Sequence, residues 1–76
     1  MKLIKELSFN DKIKLINKKV HFKSNCELFL NFDVKVEVLS YYIAPNNEFI
    51  YNTKDIKSRK NLTIGTNMKE LQYELI

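Results

Sequence analysis

Val34, Val36 and Val38 alternate with Asp33, Lys35 and Glu37, a two-residue period that predicts a strand with one buried and one wet face. Beyond them the apolar phase moves to Leu39, Tyr41 and Ile43. That shift predicts a bulge or strong bend near 38–40, which would curl a sheet toward closure. "APNNE" (44–48) reads as a turn, because Pro45 fixes φ and Asn46 and Asn47 accept left-handed or side-chain-bonded conformations. "FIYNT" (49–53) is then the returning strand of a hairpin. A loop, "KDIKSRKN" (54–61), follows, and "NLTIG" (61–65) is a short strand ended by the only glycine, Gly65.

The two ends of the chain are each open to two readings. In "SFNDKIKLINKK", Ser8 followed by Asp11 is like a capping box, and Phe9, Ile13 and Ile16 fall on one helical face. Ile13 and Leu15 also alternate with Lys12 and Lys14, as a strand would, and the period continues through Val20 and Phe22. A short helix followed by a strand at about 19–23 is expected. Near the other end, Asn67 and Glu70 repeat the capping pattern with Met68, Leu71 and Leu75 on one side, yet Leu71, Tyr73 and Leu75 would equally line a strand.

Read in order, residues 34–76 give a hairpin, a loop, a short strand, Gly65, one helical turn "TNMKEL" and a closing strand "QYELI". This order resembles a small SH3-like barrel, in which a tight turn separates the last two strands. The fold expected is mainly β, with an α+β arrangement left open: a small curled antiparallel sheet or SH3-like barrel with a short N-terminal helix. At 76 residues the chain is expected to be one domain over 1–76, burying about 60% of its extended surface.

Composition narrows the compartment and the partner. The chain has one cysteine, Cys26, which cannot close an internal disulfide, whereas secreted domains of this size usually rely on several. The start "MKLIKELSF" is interrupted by Lys2, Lys5 and Glu6, unlike the apolar core of a signal peptide. No apolar run approaches the roughly 20 residues that span a bilayer. A cytoplasmic protein without membrane contact is expected. Twelve of the 13 basic residues are Lys, nine residues are Asn and eight are Ile. These are residues of A- and T-rich codons, so part of the net charge of +4 is expected to reflect coding bias, of the kind found in low-GC bacteria and their phages.

The charge is unevenly placed. Residues 1–25 carry seven lysines against two acids, and 54–61 carry four basic residues against one acid, while 26–53 is acidic. Lys54, Lys57, Arg59 and Lys60 would neutralise phosphates, and Tyr41, Tyr42, Phe49 and Tyr51 on the hairpin could stack on bases, each stacked base contributing about 1–3 kcal/mol. That is the nucleic-acid reading, and it makes Tyr41, Tyr51, Lys54, Lys57, Arg59 and Lys60 the candidate binding residues.

Catalysis and metal binding find little material. His21 and Cys26 offer two ligands where a structural zinc site takes four, and one glycine cannot build a phosphate-cradling loop. Cys26 beside Leu28 reads as a small buried hydrophobe. Asp33, Glu37 and Glu48 fall where strand or turn faces solvent, without the burial that raises a carboxylate pKa. No enzyme and no cofactor are expected. "QYELI" (72–76) is loosely similar to the Gln-x-x-Leu-hydrophobic peptides that dock on the bacterial sliding clamp, though Leu75 also suits a core strand.

The leading expectation is a non-enzymatic interaction module that binds a protein partner, as an inhibitor or adaptor encoded by a phage or mobile element. Exposed tyrosines and an open sheet edge suit strand addition or a homodimer through that edge. Nucleic-acid binding through the basic loop and the hairpin tyrosines is the alternative.

Overall fold

The computed structural model describes residues 1–24 and 32–76. Cys26 and Leu28, and with them the start of the "LFLNF" stretch, lie outside these residues.

A two-residue strand β1 (Lys2–Leu3) leads through a 3-10 turn, Ile4–Glu6, to helix α1 (Phe9–Ile13). Five strands follow: β2 (Lys19–Ser24), β3 (Phe32–Ile43), β4 (Phe49–Asp55), β5 (Asn61–Gly65) and β6 (Gln72–Leu75). All belong to one antiparallel sheet in the order β1-β6-β2-β3-β4-β5. The sheet curls around its apolar face and is not closed, because its end strands β1 and β5 do not pair. None of the described helices is long and apolar enough to cross a membrane.

β3 shows how the sequence sets the curl. Val36 and Val38 are buried while Asp33, Lys35 and Glu37 are exposed. The register with β4 then slips, Val38 pairing with Thr53 and Ser40 with Asn52, so that Leu39 is the extra residue of a bulge. After it Tyr41 and Ile43 stand opposite Tyr51 and Phe49 and so take the core side. Asn47 closes the hairpin at φ 67°, its N–H donating to the Ala44 carbonyl at 2.8 Å.

α1 forms because Ser8 caps it: its hydroxyl accepts the Asp11 N–H at 3.2 Å. Five residues are too few to be stable alone, and packing holds them. Leu15 is buried, with Ile13 and Ile16 against the core. Asn17, at φ 67°, turns the chain into β2 and donates its N–H to the Val38 carbonyl at 2.7 Å. The core takes Ile4, Leu15, Val20 and Phe22 from the segment before β3 and Val36, Val38, Phe49, Tyr51, Ile64 and Leu71 from β3 onward. At about 25 cal/mol per Å² of apolar surface removed from water, this cluster is the main stabilising term.

The segment 66–71 departs from the expected helical turn. It makes two successive tight turns, with Met68 N–H donating to Gly65 and Leu71 N–H to Met68, and Glu70 sits at φ 54°. The cause is that Leu71 must reach the core, where its carbonyl accepts the Ile4 N–H at 2.9 Å. β6 then runs between β1 and β2, with Tyr73 opposite Lys2 on one side and Phe22 on the other. Its backbone is committed to the sheet, which leaves "QYELI" unable to serve as an extended docking peptide.

Candidate functional site

The basic loop is wound by the acid inside it. The Asp55 carboxylate accepts the N–H groups of Lys57 at 2.9 Å and Ser58 at 2.8 Å, and the Asp55 carbonyl accepts the Arg59 N–H at 2.9 Å. This is an Asx-type turn, and it holds Arg59 in the left-handed region at φ 64°. The hydrogen bond from the Ser58 backbone, followed by that from Lys57, keeps the Asp55 carboxyl below its ordinary range. Lys57, Arg59 and Lys60 are exposed together. Lys54 is half-buried on the outer face of β4, opposite Glu37 of β3.

The tyrosines lie elsewhere. On β4 the residues Phe49, Tyr51 and Thr53 face the core, so Tyr51 is 0% exposed and cannot stack on a base. Its hydroxyl donates to the Lys12 carbonyl at 2.7 Å. From Tyr51 to Asp55, where the loop begins, the strand rises about 13 Å. Tyr41, opposite Tyr51, is equally far along the sheet from the cationic side chains. The structure thus brings Lys57, Arg59 and Lys60 together, keeps Lys54 beside them and separates both tyrosines from the set.

Tyr41 belongs to a different cluster. Its ring stacks on Phe49 with centroids 4.8 Å apart and planes 5° from parallel. Phe9, at the start of α1, meets both rings edge-on, 5.9 Å from Tyr41 and 5.7 Å from Phe49. Lys12 Nζ lies 5.7 Å from the Phe49 ring centre, a cation–π contact. Inward, the aromatic series continues through Tyr51 to Phe22. Outward it ends in apolar surface: Phe9 is 51% exposed and Ile43, opposite Phe49, is 46% exposed. Sequence reading assigned Phe9 to the buried stripe of the helix and did not mark it. Its position as the first residue of so short a helix, at the margin of the core, is the available signal.

His21 is on the outer face of β2. Its Nε2 is 2.5 Å from Asp33 Oδ1 and its Nδ1 is 3.6 Å from Glu74 Oε1. The hydrogen bond from His21 lowers the pKa of Asp33, and the charges of Lys23 and Lys35 add to this. Both ring nitrogens therefore face carboxylates across the strands, an arrangement that ties β2 to β3 and β6. Among the described residues no three His, Cys, Asp or Glu side chains are grouped to hold a metal ion.

Compared with known proteins, the chain matches no family model, no curated protein and no solved structure.

Proposed function

We propose that this chain is a non-enzymatic interaction module that binds a protein partner in the cytoplasm, as an inhibitor or adaptor, through the aromatic surface at the turn end of the β3–β4 hairpin. The observation that carries the reading is Phe9: a large aromatic side chain half in solvent, locked edge-on against Tyr41 and Phe49 and flanked by exposed Ile43. Aromatic residues already held in one conformation lose little entropy on binding and are the usual centres of binding energy in protein interfaces. Partner side chains suited to this surface are apolar, with Lys12 at its rim favouring a neighbouring acid.

The test uses Phe9→Ser and Ile43→Ser, two exposed positions whose loss leaves the core intact. A protein retained from host lysate by the wild type, purified and shown to rebind, should lose at least tenfold in affinity for each variant, about 1.4 kcal/mol. Equal binding by wild type and both variants removes the reading.

A second reading has its own observation, the three exposed cations Lys57, Arg59 and Lys60 held on one ordered turn. These could contact a nucleic-acid backbone, but without Tyr41 or Tyr51 to stack on bases the binding would be electrostatic, sequence-independent and steeply weakened by salt.

A further inference from the structure

Among the described strands β5 ends the sheet, paired with β4 alone. Its hydrogen bonds show which way its backbone turns. The Lys60 carbonyl accepts the Asp55 N–H at 2.9 Å, the Leu62 carbonyl accepts the Thr53 hydroxyl at 2.7 Å, and the Thr66 N–H donates to the Phe49 carbonyl at 3.0 Å. Residues 60, 62 and 66 thus turn toward β4. By strand alternation Asn61, Thr63 and Gly65 turn their amides away from it, toward the free edge. Native edge strands usually carry a proline, a charged side chain or a bulge that prevents further pairing. Asn61–Gly65 has neither proline nor charge, and its ladder with β4 runs without a register shift.

We propose that two copies of this chain join through antiparallel pairing of β5 with β5 about a two-fold axis at Thr63, forming one continuous sheet. The register follows from the backbone. Thr63 faces Thr63 of the second copy and Asn61 faces Gly65, so the residues that turn outward are the ones that meet and exchange hydrogen bonds. On the core side Leu62 faces Ile64 of the second copy, and no like charges stand opposed within the strands.

Two further observations select a second copy as the occupant. The strand is electrostatically self-complementary: Arg59 and Lys60 precede it, whereas the Glu48 carboxylate lies over Gly65 at its other end, so close that a Cβ there would clash with Oε2. Antiparallel pairing sets the basic end of each copy against the carboxylate of the other. The opposite edge of the sheet is β1, only Lys2–Leu3, too short to template five residues. Head-to-tail growth has no matching surface, and the pairing closes as a dimer. It uses a strand edge and not the aromatic cluster, so either proposal can fail while the other stands.

The experiment is light scattering on the eluting protein over a dilution series, for the wild type, Thr63→Lys and Thr63→Pro. The wild type should show twice the 9.1 kDa chain mass, falling toward it on dilution. Both variants should be monomeric at the concentrations where the wild type is paired, with an unchanged circular dichroism spectrum. In the wild type the Thr63 amide should also be protected from hydrogen exchange, and unprotected in Thr63→Lys. If Thr63→Pro does not fold, Thr63→Lys and the wild-type exchange decide the matter. A mass of 9.1 kDa for the wild type throughout, or a dimer that neither variant weakens, overturns the proposal.

Discussion

The hydroxyl of Tyr51, at the centre of β4, donates to the carbonyl of Lys12 in α1 at 2.7 Å. This bond ties the helix to the sheet and satisfies a phenol that is 0% exposed. Tyr51→Phe removes the bond while keeping the ring, and should lower stability by about 1 kcal/mol. Tyr51→Ala also opens a cavity beside Phe22 and Phe49 and should cost about 3–5 kcal/mol. Urea denaturation of the three proteins measures both.

The same residue predicts alkaline behaviour. Burial, and secondarily the neighbouring Tyr73, push the Tyr51 phenol well above its ordinary value. The folded state holds the proton more tightly than the unfolded chain, so the stability it confers is complete below the unfolded phenol pKa of about 10. It is lost as pH climbs from there toward the raised folded value. Ultraviolet titration should show Tyr51 ionising only with unfolding, and Tyr51→Phe should flatten the alkaline loss of stability.

Asp55 governs the loop rather than the core. Asp55→Ala removes the acceptor for the Lys57 and Ser58 N–H groups, and trypsin should then cut after Lys57, Arg59 or Lys60 several-fold faster. Asp55→Asn keeps one acceptor oxygen and should fall between. Because the folded carboxyl is held below its usual range, its contribution is present above the unfolded pKa and lost as pH falls through the folded value. Wild-type cleavage by an acid-active protease should accelerate over that acidic interval, and cleavage of Asp55→Ala should not.

Gly65 is small because of Glu48, whose carboxylate crosses its Cα to accept the Asn67 N–H at 3.0 Å. Gly65→Ala should displace that side chain and forfeit the hydrogen bond, about 1 kcal/mol. In a Glu48→Ala background the same substitution should cost less. A double-mutant cycle by thermal denaturation measures the coupling.

For the nucleic-acid reading, replacing Lys57, Arg59 and Lys60 together by Ala should abolish salt-sensitive retention on single- and double-stranded nucleic acid. Retention that is absent in the wild type, or unchanged in the variant, returns the loop to solvated surface.

Much of this fold was legible in the residues. The valine alternation, the phase shift at 38–40, the Asn-rich turn and the Ser8 cap each act locally, and each appears where the sequence put it. Whether Tyr41 and Tyr51, both candidates for a binding surface, face outward is not a local matter. It depends on how the bulge at Leu39 aligns β3 with β4, and only the cross-strand register shows that both rings lean toward the core side. The segment 67–71 carried helical spacing, but the need to bring Leu71 to Ile4 overrode it. In the basic loop the four cationic residues point to charge, whereas the organising residue is the single acid among them, Asp55.

β6 lies between β1 and β2, so one side of the sheet waits for the last of the described strands to be made. Until Gln72–Leu75 leave the exit tunnel, β2 has one side unpaired and β1 has no neighbour. Closing such distant segments is slow compared with forming a hairpin. The β3–β4 hairpin should therefore form before β1 and β2 gain their shared neighbour β6.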